Sequence, residues 1–495
     1  MKALFLIFLF VSLSLKASDS RPNIVWFFIE DTNDWMGCYG DDTVPTPNID
    51  KFAARGIRFD RAYMPAGVCS ATRSALAFGC MQTSLGIHNH RSSRKHIPEE
   101  VIRLPKQYKT VYEMMRQSGY YVVNNGPKND FNFEWPTQSK SQMKRAQGPY
   151  GTGAYFEKDR SKLFYDVSSE KWNDFRPLWK DKPKDQPLFI QFQLKGGKNS
   201  GAYKGVKAFD KFSKETHTDQ SKIRVMPYYP DIPEVRKEIA HHYDTIRQLD
   251  DEVGLLVDML KKDGLYDNTV FFLFSDHGMK LYRHKQWLYE GGIKVPFIMW
   301  GKGIEQGKVR KDLVSGIDIT ATTLALSNIK QPEWMEGENL LSQSYKRDFV
   351  ISARDRCDYT IERVRAVTTR KFKHIRNFLI DRPFMQPQYR DKTAFVQDSR
   401  KYFEAGKMNK TQAFLWQSKR TPEELYDLEN DPHEIRNLVN DPSYKDVLQE
   451  HQKILADWIK ETDDKGQYPE PIDSLKGVLI QYSKEAVNPE YEKAR

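Results

Sequence analysis

The chain has 495 residues, enough for one large α/β domain and a smaller one. A formal charge of +10 favours anionic partners, and four cysteines in so long a chain exclude a disulfide-built scaffold. The sequence has no long Lys/Arg block or familiar nucleic-acid motif, and no segment past the N-terminus is apolar enough to span a bilayer, so neither nucleic-acid binding nor stable membrane insertion is expected.

Residues 1–17 read as a signal peptide. Lys2 opens it, Ala3 to Leu15 is nearly all apolar, and Ala17 supplies the small residue at the cleavage site. The expectation is an exported protein, periplasmic or secreted. Asn23 to Ile29 is a continuous apolar run, as expected of a strand buried on both faces, and it stops at Glu30 and Asp31. Lys109 to Gly119 reads as a helix, followed by a strand at Tyr120–Val123. Residues 140 to 230 are polar and irregular and read as insertion loops around a site, with a strand at Leu188–Phe192. From Pro233 to Gly264, apolar residues recur every three or four positions (Ile239, Tyr243, Ile246, Leu249, Val253, Leu256, Leu260), which predicts a long core-facing helix. Asn268 to Phe274 is a second doubly buried strand, and it runs into Ser275-Asp276-His277-Gly278.

Ligands in open α/β sheets bind beyond the carboxyl ends of the strands. If these two strands are parallel neighbours, four potential metal ligands meet there. The fold expected is α/β: a large, mostly parallel sheet sandwiched by helices, with a smaller C-terminal α+β subdomain carrying an antiparallel sheet. Short strands at Ala366–Arg370 and Lys373–Arg376, and a helix face of Val447, Leu448, His451, Ile454, Leu455, Trp458 and Ile459, define that second part. The boundaries expected are 18–360 for the N-terminal domain and 361–495 for the C-terminal one.

Residues 69–73, Cys-Ser-Ala-Thr-Arg, have the form Cys-x-Pro/Ala-x-Arg. With Pro22-Asn-Ile-Val, Glu30-Asp31, Gly37-Cys-Tyr-Gly40, Thr46-Pro-Asn-Ile-Asp50, Ser275-Asp-His-Gly278, Glu290-Gly-Gly-Ile-Lys-Val-Pro296 and the segment Glu423–Pro432, the chain resembles a type I formylglycine-dependent sulfatase of the alkaline phosphatase superfamily. The resemblance implies an alkaline-phosphatase-like fold and oxidation of Cys69 to formylglycine (3-oxoalanine) by a formylglycine-generating enzyme. It implies that one hydroxyl of the hydrated aldehyde attacks sulfur and the other drives release of sulfate. Reserving Cys69 for chemistry leaves Cys38, Cys80 and Cys357, and no essential disulfide is expected.

Further roles follow from the same resemblance. Glu30, Asp31, Asp276 and His277 hold one divalent ion, usually calcium (Ca2+) in the family. Glu30 stands where Asp is common, and His277 where Asn is common. Arg73, Lys128 and Lys285 stabilise charge. Asp130 replaces a frequent histidine and is a substrate contact or an orienting group for Lys128. The general acid is assigned to His217, because Lys198 stands where the family's histidine is expected; Lys198 becomes a substrate contact. His88, His90 and Arg91 lie in a His/Arg-rich stretch similar to those of sulfatases acting on marine galactans such as carrageenan. They are candidate substrate residues, with Arg354 and Asp355 as weaker ones. The implied substrate is a sulfated polysaccharide or oligosaccharide. Two alternatives stay open: a phosphonate or phosphate-ester hydrolase of the same superfamily, and an inactive sulfated-glycan-binding relative.

Overall fold

The computed structural model describes residues 21–91, 102–126, 130–133, 164–169, 176–194 and 218–495. The expected signal peptide, Lys128, Lys198 and His217 lie outside the described residues, as does most of 140–230.

Eight described strands form the main sheet. In spatial order they are Val167–Ser168, Tyr121–Asn125, Leu188–Leu194, Asn23–Ile29, Thr269–Ser275, Phe297–Gly301, Gly56–Phe59 and Lys308–Arg310. The two apolar runs picked out by sequence are adjacent and parallel in the middle, in the register Phe28↔Phe274 and Ile29↔Ser275. Both are buried along their whole length. The expectation of a mostly parallel sheet holds, with one exception: Phe297–Gly301 runs antiparallel to both neighbours. The chain returns from Ser275 directly through residues 276–296 without a crossover, and an antiparallel neighbour needs none.

Helices cover both faces and two apolar clusters lie against the sheet. One holds the stripe of the Pro233–Lys262 helix, and the other the Cys69–Phe78 and Val111–Gln117 helices. The 30-residue helix has Pro233 in its first turn, and Gly264 just past its end takes a positive φ of 69°. Val111–Gln117 is closed by a capping box in which Thr110 and Glu113 satisfy each other's end groups.

An antiparallel four-stranded sheet follows: Phe349–Arg354, Val364–Thr369, Phe372–Asn377 and Glu423–Asp427. The Lys445–Glu461 helix packs Leu455 and Trp458 with Ala75, Ile317 and Val367, which links this sheet to the Cys69–Phe78 helix. All four cysteines are free thiols. Among the described residues no helix is long and apolar enough to cross a membrane.

Candidate active site

The register of the two central strands sets the site. Ile29 lies opposite Ser275, so Glu30–Asp31 and Asp276–His277 emerge side by side from one sheet edge. Backbone bonds lock the two exits together: the Asp276 amide donates to the Ile29 carbonyl at 3.0 Å, and the Thr32 amide to the His277 carbonyl at 3.1 Å. Asp31 sits in the left-handed region at φ 54°, an unfavourable conformation for a non-glycine residue. Its amide donates to Asp276 Oδ1 at 3.0 Å. Gly278 is required by close approach, because a Cβ there would lie 1.8 Å from the Gly291 carbonyl oxygen. Asn33 ties the surrounding loops: its amide nitrogen donates to the Gly291 and Lys294 carbonyls, and its oxygen accepts from the Met279 amide and His284 Nδ1.

Glu30, Asp31, Asp276 and His277 have no exposed surface. Carboxylate oxygens of Glu30, Asp31 and Asp276 lie within 4.8 Å of one another, as do Cys69 Sγ, an Asp276 oxygen and a His277 ring nitrogen. Cys69 is the first residue of its helix and is 4% exposed. The helix N-terminus therefore faces the acidic cluster with its positive end, where an anion is favoured.

Two cations balance the carboxylates. Arg73 donates from Nε to Asp276 Oδ2 at 2.9 Å and from a terminal nitrogen to Gln193 Oε1 at 2.5 Å, and its guanidinium lies 4.1 Å over the Phe28 ring. Lys285 Nζ donates to both oxygens of Asp31, at 2.8 and 3.0 Å. Burial opposes its charge, yet Asp31 holds it well above the usual lysine range.

The donor set fits a hard cation. His277 Nδ1 donates to the Gly278 carbonyl at 2.8 Å, and burial pushes the imidazole down to about 4. In that neutral tautomer Nε2 carries a lone pair. It lies 3.2 Å from Asp31 Oδ1 and 3.5 Å from Asp276 Oδ1 and makes no hydrogen bond. An acceptor pressed against acceptors is repulsive until a cation stands among them. Oxygen donors from three carboxylates suit a hard divalent ion.

The His/Arg-rich stretch divides. Ligand atoms of His90, Asp130 and Cys69 lie within 4.8 Å of one another, and so do those of His90, Cys357 and Asp358. His90 Nδ1 is 3.2 Å from Asp358 Oδ1, and Asp358 also accepts from Tyr482 at 2.8 Å. Arg91 pairs with Asp130, itself at φ 61°, and the Arg91 amide donates to Ser70 Oγ at 3.2 Å. His88 instead faces the charges of Asp355, Arg365, Asp464 and Glu470, and burial lowers its pKa. Asp355 pairs with Arg365 at 3.0 Å, a structural ion pair. Arg354 packs on Trp287, outside the cluster around Cys69.

Sequence reasoning missed Gln193, Asp358, Cys357 and Asn33. None carries a local signal: Gln193 reaches Arg73 across 120 positions, and Asn33 reaches His284 across 251.

A model described as sulfatase matches residues 22–329, and one described as N-sulphoglucosamine sulphohydrolase, C-terminal, matches 277–382. The chain is 27% identical over 489 residues to an ulvan-active sulfatase of Formosa agariphila, covering 91% of this chain and 76% of that protein. The solved structure of a 2-O GAG sulfatase superposes with a TM-score of 0.59 at 20% identity, covering 90% of this chain and 94% of that one. A phosphonate monoester hydrolase from Silicibacter pomeroyi does so at 0.62 and 13% identity, covering 91% and 98%, so the fold alone does not separate sulfuryl from phosphoryl chemistry. The family match covers more than half the chain, the matched segment contains both strand exits and Cys69, and the protein belongs to the sulfatase family, as a type I sulfatase of the alkaline phosphatase superfamily that hydrolyses sulfuric esters.

Proposed function

We propose that this protein removes sulfate from a sulfated polysaccharide or its oligosaccharides, with Cys69 as the nucleophile's precursor and Glu30, Asp31, Asp276 and His277 as the metal ligands. The observation that carries the reading is the meeting of Cys69 Sγ, Asp276 and His277 within 4.8 Å, at a helix N-terminus, inside a buried acidic cluster. The ulvan-active relative supports a glycan substrate; a carrageenan-like galactan stands as the first guess from the His/Arg-rich stretch.

Oxidised and hydrated, Cys69 supplies a geminal diol, and a divalent ion, calcium by family habit, supplies charge neutralisation. The chain's own residues do the rest. Arg73 and Lys285 fix Asp276 and Asp31 in place and offset two of the three carboxylate charges. One negative charge is left over, so a divalent ion makes the site singly positive, which matches a sulfate monoester. Lys128 adds a cation to the sulfate. Arg91 and Asp130 hold the turn that covers Ser70. The leaving-group proton belongs to a histidine over Cys69. His217 is one candidate, and His90, braced by Asp358, is a second, an imidazole beside Cys69 that the metal ligands do not include. Comparing pH–rate profiles of His217→Ala and His90→Ala decides between them: only loss of the true acid removes the alkaline limb while sparing esters with acidic leaving groups.

The remaining assignments belong to this reading too: residues 18–360 form the catalytic domain and 361–495 the C-terminal one, and the protein is exported by its leader. The test is sulfate release from a panel of sulfated glycans, followed by ion chromatography, with protein whose Cys69 conversion is confirmed by peptide mass. Release from one glycan and not others is expected. Hydrolysis of an aryl phosphate in preference to the matched aryl sulfate would overturn the reading and favour the phosphoryl alternative. Tight glycan binding with no release by converted protein would favour an inactive binding protein.

A further inference from the structure

Arg354 ends the first strand of the antiparallel sheet and is 6% exposed. The other buried arginines among the described residues are all hydrogen-bonded. Arg73 has Asp276 and Gln193, Arg283 the His433 and Glu434 carbonyls, and Arg356 Glu470. Arg365 has Asp355 and Asp464, Arg382 Glu490, Arg390 Gln286 and Gln388, and Arg420 both oxygens of Glu362. Among the described residues no hydrogen bond is made by the Arg354 side chain. Its nearest carboxylate oxygen, Glu362 Oε2, is 3.8 Å away and already accepts from Arg420 at 2.8 Å.

A guanidinium with its Nε unsatisfied at this depth is unusual, since burying a charged donor without an acceptor is strongly unfavourable. Arg354 Nε is shut off from solvent without a partner, and so is the indole nitrogen of Trp287, whose ring lies 5.0 Å beneath the guanidinium. Arg390 lies against the same ring at 5.1 Å. Among the described residues the surroundings hold donors and cations, and the nearby acceptor, Glu362, is engaged by Arg420 and Gln386. Burial, with Arg420 and Arg390 nearby, lowers Arg354 to about 10 despite Glu362. The place is next to the nucleophile. The Ala353 amide donates to the Pro65 carbonyl at 2.9 Å, the Gln286 amide to the Gly67 carbonyl at 2.6 Å, and Cys357 packs with Ala66, Val68 and Cys69.

We propose that Arg354, stacked on Trp287, binds a second anionic group of the substrate, a carboxylate or a further sulfate, beside the ester that is hydrolysed. The inference rests on the sulfated-glycan reading and adds the substrate class: a glycan with two negative charges close together. A guanidinium fork matches either oxyanion, and closing onto one satisfies the stranded donors.

The test uses two matched pairs of sulfated disaccharides: one bearing a uronate against its carboxyl-reduced counterpart, and one disulfated against monosulfated. The protein is the full chain with confirmed Cys69 conversion. The wild type is expected to favour the dianionic member of one pair by about 10- to 100-fold in kcat/KM, and the pair that discriminates names the anion. In Arg354→Gln that ratio falls towards one; in Arg354→Lys, which keeps the charge and loses the fork, it is intermediate. Equal kcat/KM within both pairs for the wild type, or equal losses on both members in Arg354→Gln, would overturn the inference. Should no disaccharide release sulfate, the sulfated-glycan reading fails on its own. Calorimetric affinity of the Cys69→Ala protein then decides: weaker binding of the dianionic disaccharides on adding Arg354→Gln upholds the inference, and unchanged binding overturns it.

Discussion

Two regions of the molecule bury charge completely and handle it in opposite ways. Under the antiparallel sheet, Arg365 meets Asp464 at 2.8 and 2.9 Å and Asp355 at 3.0 Å, and Arg420 meets both oxygens of Glu362. Each of these charges has a counter-charge and a hydrogen bond, and Arg354 beside them is the exception. At the edge of the main sheet, three carboxylates crowd two cations, and a neutral imidazole aims its lone pair at two carboxylate oxygens. Burial of charge is therefore not what marks the functional region. The mark is a residue of charge that the chain leaves uncompensated, since a purely structural cluster gains nothing by keeping one.

The comparison can be broken most sharply at Cys69. Cys69→Ala is expected to lower sulfate release by at least ~10^4-fold, with an unchanged melting temperature. Substantial turnover by that variant would remove the nucleophile from the account. Next comes the metal: chelation, or Asp276→Asn, should lower kcat on the order of 10^3-fold by removing charge stabilisation. Elemental analysis of the intact protein should find about one divalent ion per chain under the same reading, and a metal-free protein of full activity would refute it. On the other side, Arg365→Met strands Asp355 and Asp464 and should destabilise the fold by about 3–5 kcal/mol, read by denaturant unfolding. The kcat of the fraction that remains folded should change little. A large kcat loss without destabilisation would erase the distinction between the two regions.

The effect that is smallest near neutral pH sharpens the comparison through its growth in acid. His284 is fully satisfied as a neutral ring: Nδ1 donates to Asn33 and Nε2 accepts from Tyr228 at 3.0 Å. Burial, with His242, Arg283 and Arg390 around it, pushes it down to about 3. The unfolded chain takes up this proton near 6.5 and the folded chain does not, so the folded state loses stability as pH falls. The loss begins near 6.5 and continues to about 3, at about 1.4 kcal/mol per unit. His284→Gln should flatten that slope in chemical unfolding curves. A slope unchanged by the substitution would assign the acid sensitivity elsewhere.

Much of this arrangement was legible in the sequence, for reasons tied to particular residues. Asn23–Ile29 and Thr269–Ser275 announce themselves because a strand covered on both faces must be apolar throughout, and their abrupt acidic ends locate the edge where ligands gather. The stripe from Ile239 to Leu260 reports helix and core at once. Apolar runs carry no direction, so the reversal of Phe297–Gly301 left no trace. The pairing of His90 with Asp358, the reach of Gln193 to Arg73 and the isolation of Arg354 are properties of chain segments far apart in sequence. Composition and spacing do not encode them.

The enclosure of Cys69 imposes an order of events. Its side chain is 4% exposed, and all ten residues of its helix are buried. A modifying enzyme that reads Cys-Ser-Ala-Thr-Arg as a peptide cannot reach it once the sheet and the 276–296 segment have closed around it. If Cys69 is oxidised as proposed, the oxidation must therefore precede folding. Under that proposal the interval between synthesis of residue 73 and docking of the strand at Thr269–Ser275 sets the time available, and a chain that folds first is locked out of activity for its lifetime.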